Sequence, residues 1–209
     1  NCVYINGVEV YRPLLISSGQ QEGLSVINSD MVEKVEFSAG GFEAKYGDRM
    51  SSVLDITYAR PQKAEASVQA SLLGANIYAG LGNRKISLSQ GLRYKTNQYM
   101  LGSLETKGEY SPSFLDYQAY LSWTPSEKWT FDLIGYISKN DYNFKPKDRE
   151  TNFGTLEDVK SFKVYFDGKE EDLFRTLYGT FKITRKWERK HALSLSASAF
   201  NTKERETYD

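Results

Sequence analysis

The chain has 209 residues, with Lys+Arg and Asp+Glu balanced at 27 each, so its formal net charge is zero. That balance argues against bulk attraction to nucleic acid or to anionic membrane surfaces. The 15 Tyr and 11 Phe favour strands, and the lone cysteine, Cys2, cannot close an internal disulfide or build a thiolate metal cluster.

Val3-Tyr4-Ile5 reads as a short strand, Asn6-Gly7 as a hairpin turn and Val8-Glu9-Val10 as the return. Tyr11-Arg12-Pro13 ends it, and Leu14 to Leu24 reads as a loop. Asn28-Ser29-Asp30 caps a brief turn or helix at Met31-Val32. Val35-Glu36-Phe37 is a strand. Residues 40–56, GGFEAKYGDRMSSVLDI, then set Gly40, Gly41 and Gly47 ahead of an alternating strand from Ser51 to Tyr58. Such glycines permit positive φ and close backbone approach. Residues 1–60 therefore read as a small α/β unit of short elements.

From Ala64 the texture changes to long alternating strands. Ala64 to Leu72 and Ala75 to Leu81 are the first two, and Lys85 to Tyr94 is the third, after an Asn83-Arg84 turn. The fourth sets Leu115, Tyr117, Ala119, Leu121 and Trp123 against Asp116, Gln118, Tyr120 and Ser122. The fifth sets Trp129, Phe131, Leu133 and Ile137 against Thr130, Asp132, Tyr136 and Ser138. A charged loop from about Asn143 to Asp172 holds a small hairpin, with Phe162 to Phe166 leading into an Asp167-Gly168 turn. The sixth strand sets Leu177, Phe181, Ile183 and Trp187 against Tyr178, Thr180, Lys182 and Lys186, and the last runs from Leu193 to Ala199.

No run approaches the roughly 18 apolar residues of a membrane helix. A membrane β-barrel remains open, because only every second residue of its strands faces lipid. The strands are about 9–11 residues, the length that crosses a bilayer when tilted. Short turns alternate with long loops, and Trp123, Trp129 and Trp187 all sit beside short turns, where an interfacial girdle would lie. A soluble β-sandwich explains the alternation but not the shared end. About seven strands is an odd count with an open edge. We therefore expect the chain to continue beyond Asp209.

Catalytic chemistry finds no support. His191 is the one histidine, there is no Gly-rich phosphate loop, and Glu170-Glu171-Asp172 reads as a solvated acidic run. No enzyme activity and no cofactor is expected.

The order of parts resembles a TonB-dependent outer-membrane receptor. VYINGVEVYRP (3–13), INSDMVEKVEF (27–37) and the glycine stretch are similar to the second half of that family's plug domain. The resemblance implies a mainly β fold. Residues 1–60 would be the C-terminal part of a plug, and residues 61–209 about seven antiparallel strands of an incomplete transmembrane β-barrel, with short periplasmic turns and long extracellular loops. It implies TonB-dependent uptake of a siderophore, glycan, peptide or similar ligand across the Gram-negative outer membrane. The implied partners are the lipid bilayer and a TonB complex that engages an N-terminal segment not present here. Gly40, Gly41, Tyr46, Gly47 and Arg49 would form the plug turn and its contact with the barrel.

The family's Arg-Gly-Pro is here Ala39-Gly40-Gly41, so Arg49 is the candidate to meet a barrel carboxylate; an exposed arginine is the other reading. The form of the turn weighs against a lipoprotein lid. Ligand contacts would come from Tyr11, Arg12, Tyr99, Tyr110, Tyr142 and Lys145, since aromatic rings and long cations suit all these ligand classes. The same tyrosines would also suit an outer aromatic girdle. The alternative function is a soluble, secreted β-rich binding or adhesion module.

Overall fold

The computed structural model describes residues 2–11, 25–41, 43, 45–47, 52–96, 108–110, 113–146, 149–154, 159–164, 168–187 and 191–208. The protein is mainly β. β1 (Cys2–Ile5), β2 (Val8–Val10), β3 (Val32–Ala39) and β4 (Ser52–Tyr58) form one sheet in the order β2-β1-β4-β3. β1 runs parallel to β4, while β3 is antiparallel to it. The β1–β2 turn carries positive φ at both central residues, Asn6 (51°) and Gly7 (74°). This is the backbone that a two-residue hairpin requires and that Asn-Gly tolerates. Ile5, Val10, Met31, Ile56 and Tyr58 fill the core of this N-terminal unit.

The brief turn or helix expected near Met31-Val32 is a single 3-10 turn over Ser29–Met31, with Asn28 accepting from the Asp30 amide at 3.1 Å. Among the described residues there is no α-helix. Val32, Val35 and Phe37 are strand formers that pair with β4 immediately afterwards, so a helix nucleus has no room to propagate.

The second sheet is larger. β5 (Glu65–Ser71), β6 (Gly74–Gly82), β7 (Ile86–Thr96), β8 (Gly108–Tyr110), β9 (Ser113–Ser126) and β10 (Trp129–Pro146) come first. β11 (Arg149–Gly154) and β12 (Val159–Val164) make a separate hairpin, and β13 (Glu170–Trp187) and β14 (His191–Tyr208) complete the set. The order is β14-β13-β10-β9-β7-β6-β5, all antiparallel, with β8 added beside the far end of β10. Among the described residues the sheet is open, and β14 and β5 are its edges.

Several boundaries differ from the sequence reading. β10, β13 and β14 each run to 18 residues. Asn143 to Pro146 and Glu170 to Asp172, expected in a loop, belong to strands, because polar residues keep pairing where the partner strand continues. The protruding hairpin pairs Arg149–Gly154 with Val159–Val164, and Gly168 stands instead just before β13. β5 and β6 meet at a two-residue turn, Leu72-Leu73, at the end that otherwise carries long connections.

The large sheet is inverted relative to a water-soluble one. On β9, Asp116, Gln118, Tyr120 and Ser122 are buried, whereas Leu115, Tyr117 and Trp123 are exposed. β10 and β13 repeat this, burying Asp132, Ser138, Asn140 and Thr176 while exposing Leu133, Ile137, Leu177 and Phe181. The polar face looks inward, towards the N-terminal unit, which covers it.

Candidate functional site

The site is the contact between the N-terminal unit and the inward face of the large sheet. Antiparallel register sets Asn76, Arg93, Asp116 and Ser138 opposite one another on four successive strands. Arg93 Nε donates to Asp116 at 2.9 Å, and both side chains are buried. The same guanidinium reaches across to the N-terminal unit, donating to the carbonyls of Ile27 (2.9 Å) and Ser25 (2.8 Å). Gln118 Nε2 donates to the Val26 carbonyl. The loop before the 3-10 turn is thus held by its backbone, through wall residues whose polarity placed them inward.

The 3-10 turn adds a second cluster. Asn28 and Asn76 exchange amide hydrogen bonds at 3.0 and 3.3 Å. Asp30 accepts from Asn76 (2.8 Å), Ser67 (3.1 Å) and Gln69 (3.2 Å). Asn28 is fully buried, and it fits because the facing wall residue is Gly91. A Cβ there would lie 2.4 Å from the Asn28 amide nitrogen.

Towards the Trp129 end of β10, Arg60 donates to Tyr120 (2.8 Å) and to Asp132 (3.0 Å), and Tyr120 donates to Asp132 (2.9 Å). Lys182 donates to the Asn6 carbonyl at 2.9 Å, pinning the β1–β2 turn to β13. These groups border a polar cavity of about 370 Å³ lined by Asn6, Lys45, Asp55, Arg60, Asp132 and Lys182, among others.

Tyr58, at the end of β4, donates to Gln118 Oε1 at 2.8 Å. Burial pushes its phenol pKa up. The folded state therefore holds this proton more tightly than the unfolded chain, where tyrosine titrates near about 10. Its contribution is intact below about pH 10 and is lost as pH rises beyond that. Tyr58→Phe is expected to cost about 1–2 kcal/mol at neutral pH, because Gln118 loses its donor. It should also make the alkaline fall in stability shallower. Denaturation midpoints measured from about pH 8 to 11 check both effects.

The sequence-derived candidates distribute as follows. Tyr46 is buried, lies tilted against Tyr4 with ring centroids 5.1 Å apart, and donates to Asp55. Burial first, and then that hydrogen bond, raise its pKa. Gly40 has φ +90°, and a Cβ at Gly40, Gly41 or Gly47 would meet no atom of the described residues within 4 Å, whereas Gly91 of the large sheet is closely approached by Asn28 of the N-terminal unit. Arg49, Arg12 and Tyr99 lie outside the described residues. Tyr11 is exposed at the end of β2. Tyr142 is buried near the far end of β10, and Lys145 and Tyr110 belong to the β10–β8 pairing there, opposite Glu109 and Phe144 respectively. That end of β10 thus brings three of the six ligand candidates together, while Tyr11 belongs to the other unit. The joining residues Arg60, Arg93, Asp116, Gln118 and Asp132 were not among the candidates. For Arg93, Asp116, Gln118 and Asp132 the signal was present, since polar or ionisable side chains in the polar phase of an alternating strand share one face of the sheet; Arg60, between β4 and β5, carries no such signal.

No family model matches the chain, and no curated protein matches it. Among solved structures, a crystal structure of a ferric enterobactin receptor mutant from Pseudomonas aeruginosa matches with a TM-score of 0.45 and 11% sequence identity, covering 98% of this chain. The chain spans 38% of the length of that structure.

Proposed function

We propose that residues 1–60 are the C-terminal part of a plug domain and residues 61–209 the N-terminal part of a transmembrane β-barrel. The whole would be a TonB-dependent transporter that takes up a ligand across the Gram-negative outer membrane. The inverted large sheet carries this reading. Seven strands about 4.8 Å apart, with some nine residues each at about 3.3 Å, make an outward face on the order of 1,000 Å². That face is apolar, whereas the largest apolar patch on a soluble monomer is about 300–600 Å². Lipid covers such a face, while a polar inward face suits a lumen filled by a folded unit.

The polar contact between the units fits a plug that must rearrange. Hydrogen bonds to the wall exchange for hydrogen bonds to water at small net cost, whereas a greasy contact of equal area would stay shut. Ligand would bind at the extracellular loops and plug apex, near the β10 end that carries Tyr110, Tyr142 and Lys145, with Tyr11, Arg12 and Tyr99 as further contacts. A TonB complex pulling on an N-terminal segment would supply the energy, so this chain would need neither a nucleotide site nor a cofactor. The ligand would be a siderophore, glycan, peptide or similar molecule, and the form of the glycine-rich turn weighs against a lipoprotein lid.

The test is the intact mass and fraction of the native polypeptide that carries this segment. A detergent-extracted membrane protein several times 23.8 kDa is expected. A product near that mass in the aqueous fraction would instead establish the soluble binding module.

A further inference from the structure

The short-turn edge of the large sheet carries a continuous stack of rings on its outward face. Trp123 stacks on Phe131 (5.2 Å) and Phe131 on Trp129 (6.1 Å). The Arg185 guanidinium then lies over both Trp129 (5.0 Å) and Trp187 (4.6 Å). Register explains the stack. Arg185 is opposite Trp129 on one side and Leu193 on the other, and Phe131 is opposite Trp123.

Arg185 has no carboxylate within ion-pair distance among the described residues. Arg185 is exposed, with both indoles beside its guanidinium, so its N–H donors are open to a partner from outside the protein. A planar fork of donors is the geometry that pairs two oxygens of a phosphate. Neighbouring charge favours an anion too. The Lys186 amide donates to the Lys128 carbonyl at 2.8 Å, which seats the Lys128 turn beside Arg185. Arg84 and Lys85 occupy the turn next to Trp123, through the Thr124 amide bonded to the Lys85 carbonyl at 2.6 Å. Among the described residues of these turns and strand ends, Glu127 is the one acid. Immediately inside this rim the outward face is apolar, with Leu193 and Leu195 exposed.

A phosphate at the rim whose attached chains lie along that apolar face is that of a phospholipid, and the surplus of cations in these turns and strand ends favours a headgroup with a net negative charge. We propose that the short-turn rim is a binding site for an anionic phospholipid headgroup, with Arg185, which lies beside Trp129 and Trp187, as the phosphate anchor and Lys128 beside it. The proposal rests on the membrane reading above. It makes the girdle at this edge a specific lipid site rather than a generic interfacial belt.

The test is native mass spectrometry of the full-length detergent-purified protein, titrated with phosphatidylglycerol and with phosphatidylcholine of the same acyl chains. About five-fold tighter binding of phosphatidylglycerol is expected, the preference that one cation near a headgroup confers. Arg185→Gln should abolish most of that preference, and should weaken phosphatidylcholine, which carries the same phosphate, to a smaller extent. Arg175→Gln, near the other end of the same strand, should leave both intact. Equal binding of the two lipids by the wild type, or equal loss in the two variants, would overturn the site while leaving the membrane reading standing. Displacement of phosphatidylglycerol by inorganic phosphate alone would overturn the lipid assignment in favour of a free anion. A protein that stays soluble without detergent and takes up neither lipid would overturn both readings.

Discussion

Arg93→Ala is expected to destabilise the protein by about 3–5 kcal/mol, the cost of leaving a buried carboxylate without its partner. Arg93 pairs with Asp116 and also donates to the Ile27 and Ser25 carbonyls, so one truncation leaves a charge and two backbone acceptors without this donor. Gln118, which reaches Asp116 at 3.4 Å, is already committed to Val26 and is no substitute for a cation. The effect should be strongly non-additive. Once Asp116 is also replaced by Ala, the double variant should lose clearly less than the sum of the singles, because the stranded charge has gone. Denaturant midpoints of the full-length protein in detergent measure the stability. Proteolysis of the loop around Ser25 measures whether the N-terminal unit loosens from the wall. A single variant within about 1 kcal/mol of wild type would mean that Arg93 is not what holds the units together.

The second large effect concerns the opposite face. Ile137 is exposed and points outward, next to Leu177 on the neighbouring strand. In water, replacing an exposed residue by arginine changes stability by no more than about 0.5 kcal/mol. On the lipid face of a barrel the same change costs about 2–4 kcal/mol near the bilayer midplane. Ile137→Arg is therefore expected to fall in the larger range when unfolding is followed from phospholipid vesicles. Leu193→Arg, at the rim, should cost far less, since the penalty fades towards the interface. Equal, small effects at both positions would favour the soluble binding module.

Both predictions depend on a feature that is half visible in the primary structure. The alternation of Leu115, Tyr117 and Leu121 with Asp116, Gln118 and Ser122 declares two unlike faces, because successive side chains of a strand point to opposite sides. It does not declare which face is covered. A soluble sheet would bury Leu115 and expose Asp116, and here the reverse holds. Burial belongs to whatever lies across the sheet, and that is the N-terminal unit, docked through Asn28, Asp30, Tyr58 and Arg60.

Pairing partners were less legible. Arg93 and Asp116 are separated by a long connection, and nothing local says that they share a rung of the ladder. A register shift of one residue would send Asp116 to the other face. The expectation that Arg49 would meet a wall carboxylate looked in the glycine-rich stretch. The described arginine that crosses between the units to a wall carboxylate is Arg60, which leaves the N-terminal sheet just after β4.

The residue order by itself determined the centres of most strands of both sheets, the Asn6-Gly7 hairpin, the edge that the tryptophans share with short turns, and the polar and apolar phase of each long strand. These are local properties, set by side-chain volume, backbone freedom and a period of two. The tertiary structure alone decided the register that joins Arg93 to Asp116 and the fit of Asn28 against Gly91. It also decided the burial of the polar face and the placing of the Trp129 indole beside Arg185. Each of these is a contact between segments far apart in the chain, and its energy depends on distances that no local pattern encodes.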